Sequence, residues 1–116
     1  MKVGVLAEGD SLGGLVAEDF GHAPFFLIVD SDTLDFTVVE NEFAKGEGAG
    51  FKVAGAIVGM KVDHVVCGGI GMHGLKILQD ANIRVWYDMD EMTVEEVVLH
   101  VKDRTSFEKK FDDEKE

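Results

Sequence analysis

The sequence is poor in three features that would each point to a class of protein: cysteine, basic residues and long apolar runs. A single cysteine excludes an intramolecular disulfide and favours a reducing compartment. Eleven Lys and Arg stand against 23 Asp and Glu, a formal net charge of −12, whereas nucleic-acid binding needs a surplus of cations. No segment approaches the ~20 apolar residues of a membrane span, and Glu8 and Asp10 interrupt the apolar N-terminus that a signal peptide would need. We therefore expect a soluble cytoplasmic protein that binds neither nucleic acid nor membranes.

The residue pattern predicts one α/β domain. The 116 residues are 46% hydrophobic, which is enough for one well-filled core. Short β-branched runs predict five strands, at 2–7, 25–30, 34–40, 63–67 and 83–87. Helical periodicity predicts helices at 49–60, at 72–80 and after Thr93. We expect the domain to occupy residues 1–103 and residues 104–116 to form a charged, flexible C-terminal tail.

The order βββαβαβα predicts a mixed five-stranded sheet with an antiparallel hairpin at one side. Right-handed crossovers place helices on both faces and gather the strand-to-helix turns at one edge. Thr93 and Glu96 have the spacing of a capping box, which starts the third helix. The apolar stripes predicted for the first and third helices are Phe51, Ala54, Ile57 and Val58, and Val94, Val97, Val98 and Val101.

Residues 67–74 (Cys-Gly-Gly-Ile-Gly-Met-His-Gly) follow the fourth predicted strand directly. Thiolate and imidazole are ligands for soft metals, so Cys67 and His73 are metal candidates. One cysteine cannot build a zinc site that needs four cysteines, or two cysteines with two histidines. We therefore predict that Cys67 is one ligand of a soft site that it shares with His73, His22 or Met72. The alternative is that Cys67 is a small buried apolar residue.

Glycine-rich loops at 46–50 and 68–71 precede predicted helices and lack a strong Ser, Thr or Asp cap. Helix N-termini without a cap attract anions, although tight turns need glycine in any case. The candidate binding residues are Gly21, His22, Gly48, Gly50, Gly68, Gly69 and Gly71. Residues 69–74 also match G-x-G-x-x-G, but only one strand follows, and a dinucleotide fold needs two βαβαβ halves.

Taken together, four segments resemble the dinitrogenase iron–molybdenum cofactor family, which includes NifX-like and NifB C-terminal-domain-like stand-alone proteins. They are Phe-Gly-His-Ala-Pro-Phe-Phe at 20–26, the glycine loop at 41–50, Cys-Gly-Gly-Ile-Gly at 67–71 and Thr-Val-Glu-Glu at 93–96. The first is the most specific, and the resemblance covers about residues 1–101. Many members have histidine where this chain has Asp19, and a proline or polar residue where it has Met72-His73.

The resemblance implies a ribonuclease-H-like, prokaryotic domain that binds or carries a metal–sulfur cluster and is not an enzyme. Its cofactor would be an iron–sulfur or molybdenum–iron–sulfur cluster, and its partner the cluster or a cluster-delivery protein. We expect a monomer or weak homo-oligomer, and we assign no catalytic residue, since no Ser/His/Asp or Cys/His spacing indicates one. The alternatives are a nucleotide- or phosphate-binding regulatory module that uses the Gly69–Gly74 turn, and a cofactor-free interaction protein.

Overall fold

The computed structural model describes the backbone of residues 1–107 and the side chains of residues 1–104. Its elements are β1 (Lys2–Ala7), β2 (Phe25–Asp30), β3 (Phe36–Glu40), α1 (Ala49–Val58), β4 (His64–Val66), α2 (Met72–Asp80), β5 (Arg84–Trp86) and α3 (Val94–Phe107). This confirms the predicted order βββαβαβα. The third strand starts later than predicted, since Leu34 has a φ of 66° and cannot continue a strand. The predicted tail boundary at residue 104 falls inside α3, and residues 108–116 lie outside the described residues.

The five strands form one mixed sheet in the order β3-β2-β1-β4-β5. β2 is antiparallel to β1 and β3, whereas β1, β4 and β5 are parallel to one another. Phe25 at the start of β2 pairs with Ala7 at the end of β1 and with Glu40 at the end of β3. The loops that lead into α1, α2 and α3 therefore all leave from the same edge of the sheet.

Helices cover both faces of this sheet, as predicted. On one face Leu6 and Val65 belong to a hydrophobic cluster with α1 and α2. On the other face Val3 and Val66 belong to a second cluster with α3. Adjacent residues of β4 thus point to opposite clusters, which is the period of two expected of a strand buried on both sides. The predicted apolar stripe of α3 is fully buried: Val94, Val97, Val98 and Val101.

The predicted stripe of α1 is only half correct. Ala54 and Ile57 are buried, but Phe51 is 64% exposed and Val58 is 41% exposed. The buried face is rotated toward Ala49 and Val53. Periodicity alone does not decide which edge of an apolar stripe faces the core.

The described helices do not combine the length and the apolar character that a membrane span requires.

Candidate functional site

The three helices begin at the same edge of the sheet but are capped differently. At α3 the Thr93 N–H donates to Glu96 Oε1 (2.9 Å) and the Glu96 N–H donates to Thr93 Oγ1 (3.1 Å), so the predicted capping box is confirmed. α1 and α2 instead follow Gly48 and Gly71, and no side chain caps either helix. The first-turn N–H groups of a helix have no intrahelical acceptor, so these two N-termini present donors and partial positive charge.

Phe20 and Gly21 pack against the two uncapped helix N-termini. The Phe20 ring is buried and contacts the positions of Gly50 in α1 and Gly74 in α2. A Cβ at Gly21 would lie 2.6 Å from Gly50 N and 2.9 Å from Gly50 Cα, so only glycine allows this approach. The Asn41 side chain holds the same segment because its Nδ2 donates to the carbonyls of Gly21 (3.0 Å) and Ala23 (2.8 Å).

The loop after β4 is fastened to the residues just before Phe20. The Gly69 N–H donates to the Glu18 carbonyl (2.6 Å), and the Phe20 N–H donates to the Gly69 carbonyl (2.8 Å). A Cβ at Gly68 would lie 2.5 Å from the carbonyl oxygens of both Ala17 and Glu18. The structure therefore brings four of the predicted glycines to two closely packed points: Gly21, Gly50, Gly68 and Gly69.

The other two predicted glycines lie on the open side of this region. Gly48 and Gly71 are exposed and have free space around their α-carbons, and Gly48 has a φ of 68°. His73 and Met72, in the first turn of α2, are exposed as well, Met72 to 78%. We call the N-terminal ends of α1 and α2, at the exposed Gly48 and Gly71, together with the side chain of His22, the glycine surface. It is a surface rather than an enclosed cavity.

His22 lies beside the α1 N-terminus with its side chain 56% exposed. Its Nδ1 is hydrogen-bonded to Oδ2 of Asp19, a carboxylate that is 58% exposed. The backbone on either side of His22 is buried at Gly21 and Ala23. An exposed imidazole on a fixed backbone can act as a ligand or a hydrogen-bond donor to a molecule on the surface.

Cys67 occupies a different environment from the one predicted for a metal ligand. Its side chain is fully buried in the cluster with α1 and α2. Burial, with smaller contributions from the charges of Asp88 and Asp19, raises the pKa of the thiol from 9.0 to about 12. Metals bind the thiolate, and a buried neutral thiol is inert. Its burial agrees with the alternative given above, that Cys67 is a small buried apolar residue, and a role as metal ligand stays a prediction.

The predicted set of Cys67, His73 and His22 is thus divided between the core and the surface. Within the part of the chain that the structure describes, no group of three or more His, Cys, Asp or Glu side chains could hold a metal ion. This surface offers N–H donors and single imidazoles, which suits a preassembled anionic group better than a bare metal ion.

The roles of three contributors to this region were missed from the sequence. Asp19 was named only as a departure from the family pattern, although an acid three residues before a histidine in a turn could have indicated the contact. Phe20 was recognised only as part of a motif. Asn41 carries no local signal, since the carbonyls that it holds are about 20 residues away along the chain.

The family model described as dinitrogenase iron-molybdenum cofactor matches residues 1–104. The apo form of the orange protein (ORP) from Desulfovibrio gigas is 32% identical, with a TM-score of 0.81 over 88% of this chain and 87% of that chain. A putative NifB protein from Thermotoga, described as a member of the DUF35 family, is 26% identical, with a TM-score of 0.72 over 88% of this chain and 87% of that chain. No curated protein sequence matches the chain.

Proposed function

This chain belongs to the dinitrogenase iron–molybdenum cofactor family, as its sequence motifs predicted, and from that premise we propose that it is a carrier for a metal–sulfur cluster. Its cargo would be an iron- or molybdenum-containing cluster or a precursor of one, received from a delivery protein. The likeness to a protein that was solved in its apo form supports a binding role. We also propose that the fold is ribonuclease-H-like, on the strand order β3-β2-β1-β4-β5 with β2 antiparallel to its neighbours.

The observation that carries this proposal is the pair of uncapped helix N-termini on the glycine surface. A Cβ at Gly74 in α2 would lie 3.4 Å from the Gly50 carbonyl oxygen of α1 and from the Phe20 ring, so the two helices meet there beside this ring. Sulfide-rich clusters are anionic, and helix N-termini supply both N–H donors and a favourable dipole to anions. The two neighbouring N-termini would act on the same cargo.

The donor set fits a preassembled cluster and does not fit one held by four cysteines. Iron–sulfur clusters of the latter kind need several thiolates, and the single cysteine of this chain is buried. His22 and His73 are both exposed, and imidazole suits iron and copper. We propose that the N–H groups hold the sulfides and that one of these imidazoles reaches an exposed metal atom.

Long-range electrostatics oppose an anionic cargo. The formal net charge is −12, and the exposed acids Glu18 and Asp19 lie next to the glycine surface. Repulsion between exposed charges is screened by salt, whereas contacts within hydrogen-bond distance are screened much less. Local donors must therefore outweigh the field of the whole protein, and cargo binding should strengthen as the ionic strength rises.

A reconstitution experiment tests the proposal. Anaerobically purified protein is incubated with iron, molybdate and sulfide, and its visible absorption and metal content are measured. We expect charge-transfer bands with bound metal, and about tenfold weaker loading of His22→Ala, in line with the loss of a metal-site contact. The matched control is Cys67→Ala, which removes the predicted but buried ligand and should load as the wild type does.

Two other outcomes would contradict the proposal that the protein is a cluster carrier. A colourless, metal-free protein whose melting temperature rises with nucleotides would favour a nucleotide- or phosphate-binding module at residues 69–74. No response to either would leave a cofactor-free interaction protein.

A further inference from the structure

We propose that Asp19 is a positioning residue, which holds the His22 ring so that Nε2 is the nitrogen presented to a metal atom. The inference rests on the proposed function in one respect only, the identity of the cargo. The contact that carries it is the hydrogen bond between His22 Nδ1 and Asp19 Oδ2. The sequence resemblance assigns no such role, since many members have histidine at the position of Asp19.

Both partners are attached to a fixed backbone although their side chains are exposed. Asp19 pairs with Gly69 in an isolated parallel bridge, and the Glu18 carbonyl and the Phe20 N–H flank this bridge with bonds of 2.6 and 2.8 Å to Gly69. At the other end of the turn, Asn41 Nδ2 holds the carbonyls on either side of His22. The two Cα positions are therefore fixed independently of each other, and the side-chain contact does not have to order the loop.

The chemistry of the contact determines which ring nitrogen is free. An ionised carboxylate only accepts hydrogen bonds, so His22 Nδ1 must carry the proton that is shared with Asp19. In the neutral imidazole the lone pair then lies on Nε2, the nitrogen that does not face Asp19. A carboxylate that orients a histidine in this way is the usual outer-shell partner of a metal-bound imidazole, and it also raises the basicity of the ligand.

The size of the effect is limited by exposure. His22 and Asp19 are 56% and 58% exposed, so water competes for both partners. Exposed ion pairs contribute little free energy. Their contribution corresponds to about a two- to fivefold change in an equilibrium constant, which we take as the size of this contact. We expect the ratio of the Nδ1–H to the Nε2–H tautomer of neutral His22 to fall by this factor when the carboxylate is removed.

The tautomer can be measured without any cargo. Protein labelled with 15N in its four histidines is examined by NMR at a pH where the His22 shifts show a neutral ring, and the Nδ1 and Nε2 shifts give the tautomer ratio. The variant is Asp19→Ala, and the matched control is Glu18→Ala, which removes the neighbouring negative charge but not the contact. Exposed His73 is the internal reference, and thermal unfolding checks that both variants fold.

The expected result is a ratio of the Nδ1–H to the Nε2–H tautomer that is about two- to fivefold higher in the wild type than in Asp19→Ala and is kept in Glu18→Ala. An unchanged ratio in Asp19→Ala or an equal change in Glu18→Ala would each overturn the assignment.

Loading the same variants with iron, molybdate and sulfide separates this inference from the proposed function. Asp19→Ala should load about two- to fivefold more weakly than Glu18→Ala, the range of the exposed pair. Equal loading of the two variants would show that the tautomer does not serve metal binding. A wild-type protein that does not load would refute the carrier, while the NMR measurement would still decide whether Asp19 positions His22.

Discussion

Replacing Gly21 with alanine tests the close approach on which the glycine surface depends. The added Cβ would lie 2.6 Å from Gly50 N, and it must retreat by about 0.8 Å to reach an ordinary contact of 3.4 Å. The neighbouring atoms belong to the backbone of α1 and cannot rotate away. Retreat of the segment also pulls the Gly21 carbonyl from Asn41 Nδ2 and displaces the buried Phe20 ring from its contacts with α1 and α2.

The cost should lie at the upper end of the range for overpacking, about 2–3 kcal/mol. This is a large part of the 5–15 kcal/mol that stabilises a typical domain. Each kcal/mol lowers the melting temperature by about 4–8 °C in domains of 60–100 residues and by 2–4 °C in larger ones. For a chain of 116 residues we expect Gly21→Ala to melt about 6–15 °C below the wild type.

Thermal unfolding followed by far-ultraviolet circular dichroism measures this shift. The matched control is Gly71→Ala, at another glycine of the same surface. A Cβ there meets no atom within 4 Å, and its φ of −79° is open to any residue. We expect the control to melt within about 3 °C of the wild type, since the lower entropy of the unfolded chain offsets the weaker N-cap. Equal melting temperatures for the two variants would refute the close approach of Gly21 to α1.

Three further predictions follow from single interactions. Cys67 should resist a thiol reagent in the native protein and react after denaturation, because its pKa is about 12 in the fold. Since the unfolded thiol ionises from about 9.0, the free energy of unfolding should fall as the pH rises from 9.0 toward 12. Cys67→Ala should remove that part of the pH dependence. Thr93→Ala should lower the free energy of unfolding by about 1 kcal/mol in a denaturant titration, whereas an unchanged midpoint would show that the capping box contributes nothing. Cargo affinity, measured by titration at several salt concentrations, should rise with ionic strength, and a fall would indicate that basic groups hold the cargo.

The elements of the fold were largely predictable because their signals are local. The short apolar runs of β1 and β2, and the capping box before α3, depend only on neighbouring residues, and each is confirmed. The apolar stripe of α1 was partly wrong because Phe51 and Val58 lie next to the buried face, and a helical period does not show where the face ends. The strand order required contacts between residues far apart along the chain.

The candidate site likewise has parts that the sequence indicated and parts that only the structure revealed. Its glycine loops and His22 were singled out from the sequence, and their roles remain predictions. For Cys67 the sequence left two alternatives open, a metal ligand or a small buried apolar residue. In the structure the Cys67 side chain points to the same face of the sheet as Val65, two residues earlier, and lies in the core among residues of α1 and α2. The contact between Asp19 and His22 exists only because a turn brings residues three apart face to face.

The sequence alone determined the family, the element order and the lack of caps at two of the three helices, because each is recorded in adjacent residues. Only the tertiary structure decided that α1 and α2 begin side by side, since this depends on Phe20, Gly21 and Gly74 meeting Gly50 across loops distant in sequence. It also decided which groups are available to a ligand. Burial removes the Cys67 thiol and leaves the His22 imidazole exposed, and burial is a property of packing rather than of residue type.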